Sequence, residues 1–250
     1  DVYKRQGVPS FDDKLVQEVV RMVLEAIYEG HFEDTSHGFR PHRSCHTALN
    51  AVQKTFTDKK WFIEGDIKGF FDNVNHDILI DILKERISDE RSIRLIRKFL
   101  RAGYLEQWRF HGTYSGMPQG GIISPVLANI YLDKLDKYMK EYATGFDRGN
   151  RVRACREYEA LTYQKRLVMR ELKTATNDVE RKVLVNRLKE IDKARSAMPC
   201  FAPMDGNFKR LKYVRYADDF LIGIIGSKED AVKIKDDIKR FLADLSLIHI

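Results

Sequence analysis

Long hydrophobic runs are missing from this 250-residue chain, and none approaches the roughly 18 apolar residues that a membrane span requires. Cysteine is scarce: Cys45, Cys155 and Cys200 lie far apart and form no C-x-x-C pair. That spacing excludes a disulfide framework and a cysteine zinc site. It reads as reduced thiols in a cytosolic protein, so a cytoplasmic location is expected. His37, His42 and His46 lie near one another without a partnering cysteine or acid cluster, and no zinc site is read from them. Internal repeats and low-complexity tracts are also absent. What is left is one large domain or two small subdomains, with ample apolar residues for a core.

The two ends are read apart from the rest. Residues 1–6 are DVYKRQ and residues 245–250 are LSLIHI. The codons GAT GTG TAT AAG AGA CAG encode the first string. Their reverse complement, CTG TCT CTT ATA CAC ATC, encodes the second. Unrelated natural termini would rarely stand in that relation, and the DNA resembles the end of a transposase-based sequencing adapter. Both hexapeptides are therefore set aside as non-native, like a fusion scar. Gly7 to Asp244 is the segment read for fold and function, and no signal peptide can be sought in it.

Net charge is +7, or +6 without Asp1, Lys4 and Arg5. That balance suits a polyanionic partner without identifying one. Leu15, Val16, Val19, Val23 and Ile27 recur at helical spacing, which predicts an amphipathic helix over 12–29. The loop TSHGFRPHRS follows, with Ser44 as N-cap of a helix to about Thr57. WFIEGDI (61–67) reads as a buried strand, 76–86 and 91–100 as helices, and 107–114 as a strand before a Gly-rich turn. Ser124-Pro125 supplies an N-cap and first-turn proline for a helix through about Lys140. Arg151 to Arg195 holds thirteen Lys/Arg against seven Asp/Glu. It reads as one or two charged helices, either a solvated insertion or an RNA-facing basic surface. LKYVRYADDFLIGII is β-rich, and an amphipathic helix over 228–242 follows it.

Two acidic points stand out. Asp66 ends the strand WFIEGD, and Asp218 and Asp219 sit between YVRY and FLIGII, where a hairpin would place them at its tip. A carboxylate at a buried strand end is costly unless a cation or hydrogen bonds compensate it. Brought together, the two points form an oxygen-rich site suited to Mg²⁺. Two such ions can activate an attacking hydroxyl and stabilise the leaving oxygen of a phosphoryl displacement. Taken singly, each acid is equally well read as a turn cap. GMPQGGIISPVLANIYLDKLD (116–136) adds a Gly-rich loop, a glutamine and a capped helix, whose backbone amides can approach a nucleotide.

FIEGDIKGFF, MPQGGIISPVLANIYL and YADD, in this order and spacing, resemble the A, B and C motifs of reverse transcriptases. GVPSFDDKLVQ and HGFRPHRS resemble the early fingers motifs of group II intron-encoded proteins. The resemblance implies an α+β right-hand polymerase with an antiparallel palm sheet and flanking helices. It implies fingers over 7–60 and palm over 61–140 with fingers helices 83–103 interleaved. A basic helical insertion over 141–205 and the motif C hairpin with its helix over 206–244 complete the layout. The implied activity is RNA-directed DNA synthesis in the prokaryotic cytoplasm, adding dNTPs to a DNA primer on an RNA template with two Mg²⁺, in a parent that is also a splicing maturase. Carried over by position, Asp66 and Asp218 would be direct metal ligands and Asp219 the supporting acid. Phe71 would be the steric gate against a ribose 2′-OH, or else a core aromatic beside Phe70. Gln119 and the backbone at Ile67 would contact the incoming nucleotide, and Tyr216 and Ala217 the primer end. Arg40 and Arg43 would lie near template or triphosphate, or serve as charges that help a loop pack.

The family pattern has an arginine about three residues before the Gly-Val-Pro that opens at Gly7, and adapter-derived residues occupy that place. The later motifs, thumb or maturase region, and any DNA-binding or endonuclease domain are expected beyond Asp244, so a fragment of this extent is expected to be weak or inactive. Rival readings are a retron or defence-associated reverse transcriptase, and a catalytically silent RNA-binding maturase. The segment QGGIISP disfavours a diversity-generating type, and GFRPHRS favours the intron type.

Overall fold

A computed structural model of the chain describes residues 9–106, 109–111, 115–117, 120–200 and 206–247. It divides into two compact units, one comprising residues up to Phe146 and from Leu211 onward, the other Asp147–Arg210.

In the first unit, α1 (Phe11–Tyr28) starts where the Ser10 hydroxyl accepts the Asp13 N–H, as an N-cap serine does. α2 (Cys45–Thr55) starts at a capping box built from Ser44 and Thr47, with Ser44 at the expected cap. β1 (Trp61–Asp66) leads into a single turn, α3 (Phe70–Asn73), then α4 (His76–Lys84) and α5 (Glu90–Arg101), capped by Asn75 and Asp89 respectively. A short ladder, β2 (Tyr104–Glu106) with β3 (Arg109–His111), falls partly inside the strand expected over 107–114. The long α6 (Ser124–Phe146) runs a turn and a half beyond the expected end. β4 (Arg210–Tyr216), β5 (Asp219–Ile225) and α9 (Lys228–Asp244) complete the elements outside the second unit.

β1, β5 and β4, in that order, form a three-stranded antiparallel sheet, with β1 paired to β5 from Trp61↔Ile224 to Asp66↔Asp219. The architecture is thus mixed helix and antiparallel sheet. Leu211, Tyr213, Phe220, Ile222 and Ile224 face a core shared with Leu127, Ile130, Tyr131 and Leu135 of α6 and Ile234, Ile238 and Leu242 of α9. The opposite face carries Val214 and Leu221, packed with Ala48 and Phe56 at α2. Burial therefore alternates along β1, which corrects the reading of a strand buried on both faces. Phe62 is 54% exposed. Gly65 is dictated by packing: a Cβ there would meet the Phe220 ring at 2.1 Å. At the C-terminal end, Leu247 is buried in the core and the Tyr131 hydroxyl donates to the Leu245 carbonyl. Residues set aside as adapter-derived therefore contribute to packing.

The second unit is a helical hairpin of α7 (Arg156–Thr174) and α8 (Asp178–Ser196), held by Lys165 Nζ on the Asp192 carboxylate at 2.6 Å. Arg148 and Lys209 exchange both backbone hydrogen bonds at 3.0 Å and close its base. This unit holds sixteen Lys/Arg and nine Asp/Glu, while the remainder of the chain holds 28 of each, so the net +7 resides entirely in the second unit. No helix of the described residues is long and apolar enough to cross a membrane.

Candidate active site

The end of the sheet gathers the acidic residues. β4 turns into β5 through Ala217 and Asp218, with Ala217 at φ 55°, the left-handed conformation that tight hairpin turns demand of a central residue. Asp219 then lies directly opposite Asp66. The Ile67 N–H donates to the Asp218 carbonyl at 3.4 Å, which makes Asp66–Asp219 the adjoining non-hydrogen-bonded pair. Such pairs bring side chains closest across a ladder, with Cα atoms about 4.5 Å apart. Two carboxylates so placed disfavour each other and suit a hard cation, which takes oxygen ligands.

Asp66 and Asp219 are exposed and Asp218 is half-buried. The expectation that burial makes the Asp66 carboxylate costly is thereby corrected: the strand end opens to solvent because the helix that covers this face, α2, packs at the other end. Among the described residues no group of three or more His, Cys, Asp or Glu is gathered tightly enough to hold a metal ion. The backbone thus brings Asp66, Asp218 and Asp219 to one edge, while their side chains do not form a closed ligand set.

A buried polar frame holds the hairpin, and sequence reasoning missed it. Arg215 has no solvent exposure. Its guanidinium donates to both Asp136 oxygens (2.8 and 2.6 Å), to Ser36 Oγ (2.7 Å), to Asn129 Oδ1 (3.2 Å) and to the Ala217 carbonyl (2.7 Å). Asn129 Nδ2 donates in turn to the Gly38 carbonyl at 2.8 Å, and the Tyr213 hydroxyl to Asp136 at 2.9 Å. Burial, and then the Asp136 charge, hold the Tyr213 hydroxyl well above the ordinary tyrosine range. A Cβ on Gly38 would lie 2.3 Å from the Ala217 amide nitrogen, so the glycine lets the TSHGFRPHRS loop rest on the turn. The available signal was the charged residue inside the apolar strand YVRY, together with two aspartates on the otherwise apolar face of α6.

The Gly-rich loop is tied down on both sides of residues 118 and 119. Gly116, at φ 85°, donates its N–H to the Val74 carbonyl at 2.8 Å, and a Cβ there would meet the Phe71 carbonyl at 2.6 Å. Farther on, the Ile122 N–H donates to the buried Gln17 side chain at 2.9 Å. Gln119 itself lies outside the described residues. Phe71 is half-buried, edge-on to Phe70 with centroids 5.4 Å apart. It therefore packs at the margin of the core. The Ile67 N–H and carbonyl are both engaged within the chain, with Asp218 and Phe70. Tyr216 is 37% exposed, on the same sheet face as Asp66 and Asp219.

Arg40 and Arg43 differ. Arg40 is buried, pairs with Glu29 at 2.8 Å and donates to the Glu33 and Ser36 carbonyls. Its guanidinium is spent on holding the loop. Arg43 is half-buried and binds the Asp34 carboxylate at 2.6 Å and carbonyl at 2.7 Å.

The sequence model for "Reverse transcriptase (RNA-dependent DNA polymerase)" matches residues 3–163. The chain belongs to the reverse transcriptase family. Within that family it is similar to the group II intron-encoded protein LtrA of Lactococcus lactis subsp. cremoris, with 50% identity over 94% of the chain and 39% of the relative. A putative COX1/OXI3 intron 1 protein of Saccharomyces cerevisiae is 42% identical over 94% of the chain and 27% of the relative. Nuclear intron maturase 1, mitochondrial, of Arabidopsis thaliana is 25% identical over 93% and 36%. The chain thus spans less than two fifths of the length of these relatives. The family match takes in the residues read as motifs A and B, while the YADD segment read as motif C lies beyond it.

Proposed function

We propose that the chain is the fingers-and-palm part of a group II intron-encoded RNA-directed DNA polymerase, whose parent also assists intron splicing. The observation that carries this reading is the β1–β5 register, which sets Asp66 opposite Asp219 with Asp218 at the adjoining turn. In this reading β1, β4 and β5 are the palm of a right hand and α1, α2 and the loop between them belong to the fingers.

Asp66, Asp218 and Asp219 would hold two Mg²⁺, which when bound supply activation of the primer 3′-hydroxyl and charge compensation at the triphosphate. Asp66 and Asp218 serve as the direct ligands and Asp219 as the supporting acid. Phe71 excludes a ribose 2′-OH by bulk, and Gln119 with the Ile67 backbone lines the incoming dNTP. Tyr216 and Ala217 receive the primer end. Arg43 stands nearest to a template or triphosphate role, with Arg40 fixing the loop that carries it. The RNA template is held through its backbone and 2′-OH groups, since a polymerase must accept every sequence.

Primer extension by the full-length protein, with an annealed RNA template and DNA primer, tests the reading. Asp66→Asn and Asp218→Asn should each abolish extension, by about a thousandfold or more, without a change in thermal unfolding. Extension undiminished in either variant overturns the assignment, and splicing that survives both separates the maturase role from synthesis. A Phe71→Ala variant should gain ribonucleotide incorporation, read as the ratio of rNTP to dNTP use.

A further inference from the structure

Phe39 combines an unfavourable backbone with an exposed ring, directly beside the acidic turn. Its φ is 53°, a left-handed conformation that bulky residues rarely adopt because Cβ crowds the backbone. Burial does not compensate, since the side chain is 52% exposed. The chain around it is nevertheless fixed. The His37 N–H donates to the Arg215 carbonyl at 2.9 Å, and the Gly38 carbonyl accepts from Asn129 at 2.8 Å. Gly38 rests on the Ala217 backbone, and Arg40 is clamped by Glu29. Residues 37, 38 and 40 are thus bolted to the frame that holds the hairpin, and the ring between them is turned outward. Strain kept in place by its surroundings is a pointer to function.

A primer–template whose 3′ end reaches Asp66 and Asp218 must pass this turn. A flat aromatic face stacks on any base without reading sequence, which is what a polymerase requires of a contact at its reacting end. We propose that Phe39 stacks on a nucleobase of the bound primer–template, a role that rests on the polymerase reading above.

The test uses the full-length protein with an RNA template annealed to a DNA primer. 2-Aminopurine is placed either in the template beside the first unpaired position or at the primer 3′ end. Phe39→Ala should weaken primer–template binding by about tenfold or more, and brighten the 2-aminopurine of one strand, which identifies the stacked base. Phe39→Trp should keep parental affinity. Phe39→Gly relieves the backbone, so it should unfold at the same or a higher temperature than the parent while binding as weakly as Phe39→Ala. That contrast separates lost stacking from lost fold. Parental affinity with unchanged fluorescence in both Phe39→Ala and Phe39→Gly overturns the proposal. Extension by the parent and its loss in Asp218→Asn, run alongside, show whether the polymerase reading stands independently of that result.

Discussion

Arg215 shows what a single buried charge does in this molecule. Burial opposes its charge, but the Asp136 carboxylate outweighs burial and pushes the guanidinium pKa up. Removing one member of such a pair strands the other, at a cost of about 3–5 kcal/mol. Arg215→Met should therefore lower the unfolding free energy by that amount in chemical denaturation. Arg215→Met combined with Asp136→Leu should recover most of it, because apolar replacements of a buried pair are often neutral or better. Primer extension, as proposed above for the full-length protein, should be lost in the single and the double variant alike, since neither keeps the Arg215 hydrogen bond to the Ala217 carbonyl. Normal extension by the double variant would show that the frame serves stability alone. His37 gives a pH dependence at the same scale. Burial, followed by the charges of Arg43 and Arg40, lowers its pKa, against a weaker opposing pull from Asp34. The unfolded chain then takes up a proton that the folded chain refuses. This contribution to stability is present above about pH 6.5, the ordinary histidine value, and is lost as pH falls from there toward the lowered folded pKa. Melting temperatures across that window should fall on acidification, and His37→Gln should flatten the dependence while leaving a side chain able to bond Thr47.

Among the elements, the β4–β5 hairpin concentrates the cost of building the site. Ala217 sits at φ 55°, where a non-glycine residue loses roughly 1–2 kcal/mol. Ala217→Gly recovers that but adds about 0.5–1 kcal/mol of unfolded-chain entropy. The variant should be equal to the parent or more stable by up to about 1.5 kcal/mol, with a looser turn and slower extension. Greater stability together with faster extension would contradict a turn held in strain for function. The hairpin was legible in YVRYADDFLIGII because two β-rich runs flank a polar pair, and the helices were legible from apolar spacing and from the cap Ser44. The sheet register was not, since pairing Asp66 with Asp219 depends on contacts more than 150 residues apart. The exposure of Asp66 was hidden for a related reason: alternation in WFIEGD is blurred by Trp61 and Phe62, large rings on opposite faces. The Arg215 frame joins β4 to Ser36 in the loop before α2 and to Asn129 and Asp136 of α6, and no local pattern announces such a meeting. Arg40 illustrates the same difficulty, because a basic residue in a loop looks alike in sequence whether it faces a ligand or, as here, the Glu29 carboxylate.

At the scale of the whole chain, charge and core are separated. The unit spanning Asp147–Arg210 carries the entire net positive charge, while the core cluster that supports the sheet is drawn from residues outside it. Its base closes on Arg148 and Lys209, which exchange hydrogen bonds in both directions at 3.0 Å. A two-residue Asn-Gly turn spans such a pair, so Gly149–Phe208 can be replaced by one without stretching the chain. The replacement removes thirteen Lys/Arg and eight Asp/Glu. In the full-length protein the shortened variant should still unfold cooperatively near the parental temperature, because no residue of the main core is lost. RNA binding should weaken and become less sensitive to salt, with the slope of log affinity against log salt falling by roughly 0.7–0.9 for each phosphate contact removed. An unchanged slope would mean that these charges face solvent alone. Extension of a short, pre-annealed primer at low salt should persist, since Asp66 and the Asp218–Asp219 turn stay in place. Loss of extension with a parental melting temperature would instead assign the helical hairpin a part in holding the primer–template at the site.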